Sequence, residues 1–236
     1  MRSVIITIDG PAGSGKSSVA RSLAQRLGLE FLDTGAMYRA ITAAALDRGL
    51  DPVATPDAVI ALAGRVVLRF DWRADPPTLY ADEHDMTQRV RDADVTASVS
   101  DVAQLPGVRA VLVEQQKQIG AAHPRLVTEG RDQGSVVFPD AAVKFFLIAS
   151  PRVRAQRRAD QLREAGREVD EQAIYENILD RDHKDASRAD GPLTRPDDAI
   201  ELDSSDMSLD QVLDELERLA RQRLGDRLAV GPKDGR

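Results

Sequence analysis

The run Gly10-Pro11-Ala12-Gly13-Ser14-Gly15-Lys16-Ser17, with Ser18 behind it, has the residue types and spacing to hold phosphate. It is a glycine-rich loop closed by a lysine and a hydroxyl residue. The glycines let successive backbone N–H groups turn inward around an anion, and the N-terminus of a following helix adds positive dipole. Lys16 can then reach the outer phosphates of a nucleoside triphosphate, and the Ser17 hydroxyl can sit on Mg²⁺. Both flanks suit the task. Val4-Ile5-Ile6-Thr7-Ile8 is an apolar, β-branched strand leading straight in, and Val19, Leu23 and Leu27, with Ala20 and Ala24 beside them, form a helical stripe that Gly28 stops. Strand, loop and helix together predict a P-loop that binds a nucleoside triphosphate.

Three further constellations carry charge where a parallel sheet gathers its ligands, beyond strand C-terminal ends. They are Asp33-Thr34-Gly35-Ala36-Met37-Tyr38-Arg39, then Glu129-Gly130-Arg131-Asp132, then Arg181-Asp182-His183-Lys184-Asp185-Ala186-Ser187-Arg188. In the last, Arg181, Asp185 and Arg188 share a helix face. Moving a γ-phosphoryl between two anions needs several cations around donor and acceptor, and a segment that closes over them. The arginine-rich helix pair beginning at Arg152 has the composition of such a lid. Within it, Arg157, Arg158, Arg181 and Arg188 read as functional, and Arg163 and Arg167 as a solvated hairpin.

These residues need a scaffold of alternating strands and helices. A second strand at 29–32 precedes a helix capped by Asp33 or Thr34 and ending near Gly49, and a short helix holds Val59 to Ala63. From 66 to about 91 the texture becomes β-rich, with short strands at 66–70, 78–80 and 85–87 split by polar turns, which predicts a small antiparallel insertion. Helices are expected at 95–102 and around 108–119, strands at 125–128 and 143–148, lid helices at 152–165 and 170–189, and a last strand at 200–203. Ser208 with Gln211 forms a capping box before a final helix. The domain plan is a core of 1–64 and 96–224 with a lid at about 152–189, a 65–95 insertion, and a flexible 225–236 tail. Strands buried on both faces by helices give an α/β fold with a parallel sheet.

Composition narrows the function. The chain has 236 residues, 42% apolar and 30% charged, with no cysteine and three histidines, His84, His123 and His183, that are scattered. Disulfides, thiolate chemistry and Cys- or His-rich metal sites are excluded as expectations. A net charge of −7 argues against broad nucleic-acid binding, and from Arg152 to Arg188 nine basic residues are matched by nine acidic ones. No stretch approaches a membrane span or a signal peptide, so a cytoplasmic enzyme, a monomer with small-molecule partners, is expected.

At these motifs the chain resembles the bacterial cytidylate (CMP) kinase family, over about residues 3–224. The likeness rests on the P-loop, the 33–39 motif, the strand-rich insertion, Gly130-Arg131-Asp132-Gln133-Gly134, Val136-Val137-Phe138-Pro139-Asp140-Ala141, and Arg181, Asp185 and Arg188. It implies a nucleoside monophosphate kinase-like fold with a five-stranded parallel sheet, and phosphorylation of CMP and dCMP by ATP with Mg²⁺. By position, Thr34, Tyr38 and Arg39 would hold the CMP phosphate end with Arg131 near it. Ser100, Arg109 and Asp132 would read cytosine, and Arg181 with Asp185 would grip the ribose. Arg188 would lie near the transferred group, with Lys16, Arg131 and Arg157 catalytic and Arg157 and Arg158 in the lid over ATP. Asp33 or Glu129 would support Mg²⁺ through water. Two other readings stay open: a P-loop kinase for UMP, AMP or a non-nucleotide acceptor, and a nucleotide-binding regulatory module.

Overall fold

The computed structural model describes residues 3–164 and 166–228. β1 (Val4–Asp9) enters the glycine loop, which opens α1 (Lys16–Leu27). β2 (Glu30–Asp33) feeds α2 (Thr34–Leu46), and α3 (Pro56–Ala63) precedes the insertion strands β3 (Leu68–Asp71), β4 (Thr78–Ala81) and β5 (His84–Asp85). α4 (Ala93–Val102) and α5 (Pro106–Ala122) lead to β6 (Arg125–Gly130), a π-type turn at Gln133–Val137, and β7 (Val143–Ile148). The charged pair α6 (Pro151–Glu164) and α7 (Glu171–Ala186) follows, then β8 (Ile200–Asp203) and α8 (Leu209–Leu224).

Five parallel strands in the order β2-β6-β1-β7-β8 form the main sheet, so the expected fold class is the observed one. β1 is central, running beside β6 from Val4↔Arg125 to Asp9↔Gly130 and beside β7 from Ile6↔Val143 to Asp9↔Phe146. Each face is covered by its own apolar layer. α1 and α8 bury Val19, Leu23, Leu213 and Leu216 on one side. Met37, Ile41, Val59, Val108 and Leu112 pack on the other, and there Leu79, Ala81 and Met86 of the insertion join the same core. Shared burial of this kind is what holds a three-stranded sheet too small to stand alone.

The insertion is also pinned from outside. The Trp72 ring stacks on His123 at 4.1 Å, and Arg21 and Gln25 of α1 donate to the Asp75 carboxylate. Its strands are displaced from their expected places. The Val67 carbonyl accepts from Asp82 N and the Val67 N–H donates to Asp82 Oδ1, which starts the ladder at Leu68. Asp82, at φ 53, makes a tight turn that begins the third strand at His84. Of the tail, Gly225–Leu228 is a 3₁₀ turn with Leu228 buried, and residues 229–236 lie outside the described residues.

Candidate active site

The phosphate loop is built on close approach. Gly10 sits at φ 151 with the Leu147 carbonyl 2.1 Å from where a Cβ would be, so no side chain fits between β1 and β7. Gly13 and Gly15 also take positive φ, and α1 begins directly after them at Lys16. The Lys16 ammonium folds back on the loop, donating to the Pro11 carbonyl at 2.7 Å and to Ser14 Oγ at 3.5 Å. Burial, then the Arg131 charge, pull its pKa down from 10.5 to about 7.

Register places the acidic groups. Asp33 lies opposite Glu129 in the β2–β6 pair, and Ser17 Oγ donates to Glu129 Oε1 at 2.7 Å. Asp33 proves to be the α2 cap, accepting from Ala36 N at 2.9 Å, while Thr34 donates to the Glu129 carbonyl at 2.7 Å. Burial and then the Glu129 carboxylate push the Asp33 pKa up.

Beside this lies a cluster of arginines. Arg131 Nε donates to Asp185 Oδ2 at 2.6 Å, and Arg188 pairs with the other Asp185 oxygen. Arg39 donates to Thr96 Oγ1 at 3.1 Å. Arg181 Nε is buried with no hydrogen-bond partner among the described residues. Burial, then the charges of Arg131 and Arg39, lower the Arg181 pKa from 12.5 to about 10. Among the described residues Asp185 pairs with two of these four guanidiniums while Arg39 and Arg181 form no ion pair, an excess of positive charge that is the chemistry of an anion seat.

Past Asp185 the site becomes neutral and closed. Arg109 is 1% exposed and pairs with Asp132, 6% exposed, while its Nη1 lies 3.3 Å from the Tyr38 hydroxyl. Burial is the main cause that lifts the Tyr38 hydroxyl to about 12. Ser100 is half-buried on α4, one residue before Asp101, whose carboxylate accepts from Lys184 at 3.2 Å.

The α6 arginines divide. Arg158 is exposed and donates to Gln161 Oε1 at 3.5 Å. Arg157, expected to act on the phosphoryl group, donates to Ser204 Oγ at 3.1 Å and to the Ser204 and Met207 carbonyls at 2.5 and 3.1 Å, in the segment after β8.

Two buried groups were not singled out by sequence reasoning. Arg154, 3% exposed, donates to the Ala149 and Ala12 carbonyls, each at 2.9 Å, and forks onto Asp182 at 2.9 and 2.5 Å. It ties α6 and α7 to the phosphate loop, and it is buried with Ala155 and Ala159 in a helix otherwise dense in charge. Asp9 accepts from Gln133 N at 2.9 Å and Gly134 N at 2.7 Å, fixing the turn that follows Asp132. Burial, partly offset by those two bonds, raises its pKa to about 6.

A glycine loop and helix N-terminus at the carboxyl edge of a central strand, with a lysine inside and an arginine cluster opposite, define a P-loop kinase. The gluconokinase of Sinorhizobium meliloti 1021 shares the fold, with a TM-score of 0.50 at 14% identity over 97% of this chain and 98% of that one. The chain belongs to the cytidylate kinase family, whose model matches residues 6–222. It is 45% identical to the cytidylate kinase of Mycobacterium avium (strain 104) across 220 residues, 93% of this chain and 96% of that protein. It is also 46% identical to the bifunctional pantoate ligase/cytidylate kinase of Synechococcus sp. (strain CC9311) across 98% of its own length, and spans about half of that relative, 47%. Among the described residues no helix is long and apolar enough to cross a membrane.

Proposed function

We propose that the chain transfers the γ-phosphoryl group of ATP to CMP and dCMP by direct in-line displacement. One observation carries this reading: the Arg109–Asp132 pair, sealed from solvent, stands beside an arginine cluster whose charge one carboxylate cannot neutralise. The cluster suits a monophosphate ester, and the pair suits its base.

The loop from Gly10 to Ser18 would hold the donor's phosphates through backbone N–H groups, with Lys16 leaving Pro11 for the outer phosphates. Ser17 and Glu129 offer hard oxygens side by side, with Asp33 opposite, which fits Mg²⁺ carried largely on water and phosphate. Bound there, Mg²⁺ would offset the charge on the β- and γ-phosphate oxygens. Thr34, Arg39 and Arg131 would take the acceptor phosphate, and Arg181 with Asp185 the ribose. Arg188 would lie over the transferred group, and Arg157 and Arg158 would act as lid arginines over the donor. No general base is needed, because the dianionic monoester already offers an ionised phosphate oxygen as the nucleophile.

Cytosine offers an exocyclic amine to Asp132, and its ring acceptors to Arg109 and Ser100. Uracil would set a carbonyl against the carboxylate, a mismatch worth about 1–3 kcal/mol. A coupled assay for ADP release over a panel of monophosphates tests the reading. CMP should exceed UMP and AMP by roughly tenfold or more in kcat/KM. Equal turnover of AMP and CMP, or ATP hydrolysis with no acceptor dependence, would overturn it.

A further inference from the structure

The buried guanidinium of Arg109 faces a second carboxylate that no role above requires. Its Nη1 reaches the Tyr38 hydroxyl, its Nη2 pairs with Asp132, and its Nε, buried and without a hydrogen bond among the described residues, lies 3.5 Å from Asp190 Oδ2. Asp190 is half in solvent, its side chain 51% exposed. The next residue explains how the strap comes so close. Gly191 is buried at φ +57, and a Cβ there would lie 1.9 Å from Arg109 Nη2 and 2.5 Å from Asp132 Oδ2. Bare backbone therefore lies directly against the pair. The strap is pinned at both ends to one residue of α7, with Arg188 on the Asp185 carboxylate and Leu193 N on the Asp185 carbonyl at 2.9 Å.

We propose that Asp190 is a specificity-determining positioning residue, which takes up the charge of Arg109 when Asp132 turns to the exocyclic amine of the acceptor base. This rests on the reading of Asp132 as the base-reading carboxylate. A carboxylate that accepts from an amine must share the charge it gives Arg109, and a guanidinium 1% exposed has no water to turn to. Asp190 removes that penalty. A shift of about half an ångström makes its 3.5 Å approach to Nε a charge-assisted hydrogen bond, and its exposure lets it move. A uracil base has no such amine, so Asp132 stays on Arg109 and Asp190 contributes nothing. The device acts on one base only.

The test is steady-state kinetics with CMP, UMP and ATP for the Asp190→Asn, Asp190→Glu and Asp132→Asn enzymes, with thermal melting alongside. Asp190→Asn should raise KM for CMP about 3–10-fold, leaving kcat, KM for ATP and all constants for UMP within about twofold. Asp190→Glu should restore KM for CMP. If Asp132→Asn loses the CMP-over-UMP preference while Asp190→Asn behaves as wild type, the inference about Asp190 falls and the base-reading role of Asp132 stands. If Asp132→Asn keeps the preference, that role falls and the inference with it. Equal losses for CMP and UMP, or a lowered melting temperature with a rise in KM for ATP, would mark Asp190 as a strap-holding residue and overturn the proposal.

Discussion

Replacing Lys16 with methionine should inactivate the enzyme and stabilise it. Lys16 is 5% exposed and its ammonium feels the Arg131 guanidinium, and burial, then that charge, take its pKa from 10.5 to about 7. Between those values the unfolded chain carries a proton that the folded chain gives up, so this group makes stability rise with pH across that window. At or below pH 7 the folded chain bears the whole penalty, roughly 4–5 kcal/mol at about 1.4 kcal/mol per pH unit. Methionine removes the charge and keeps much of the stem, but it leaves the Pro11 carbonyl without its 2.7 Å donor, which costs about 1–3 kcal/mol. Lys16→Met should therefore be about 1–4 kcal/mol more stable than wild type at pH 7, and the less stable of the two by about pH 10. Urea unfolding at both pH values, followed by circular dichroism, reads the difference. Turnover should fall by on the order of 10³. A variant that is less stable at pH 7, or a stability gap that ignores pH, would refute the picture of a strained ammonium.

Two other substitutions test the framework around the site. Arg154→Met removes four hydrogen bonds, two of them to Asp182, and should cost roughly 3–5 kcal/mol in chemical denaturation while raising KM for ATP more than KM for CMP. Thr34→Val keeps the shape of a side chain 2% exposed but strips the Glu129 carbonyl of its donor, so it should lose about 1–3 kcal/mol and raise KM for CMP. Thr34→Ser should stay near wild type in both assays.

The donor half of the site was legible because it is local. Strand, glycine loop and helix are contiguous from Val4 to Leu27, and each carries its own periodicity or turn chemistry. The acceptor half was legible as residue types but not as contacts. That Glu129 would stand beside both Asp33 and Ser17 depends on β6 inserting between β2 and β1, an order no local pattern encodes. Asp33 and Thr34 could each cap α2, and only the approach of the Glu129 carbonyl divides the work between them. Arg154 was hidden by its neighbours: in a helix so dense in charge, one arginine turned inward leaves no hydrophobic trace. The contacts of Arg157 with the Ser204 and Met207 carbonyls were equally out of reach, because they depend on where the segment after β8 runs.

The central place of β1 has a consequence for anyone wishing to change what this enzyme phosphorylates. A strand hydrogen-bonded along both sides cannot be re-aimed without tearing the sheet, so the donor loop is a fixed fulcrum. The groups proposed for the acceptor hang instead from β2 and α2 at the sheet margin, from α4 and α5, and from the segment after α7. Libraries seeking new acceptors should diversify residues 34–39, 96–109 and 188–193 and leave 4–18 alone.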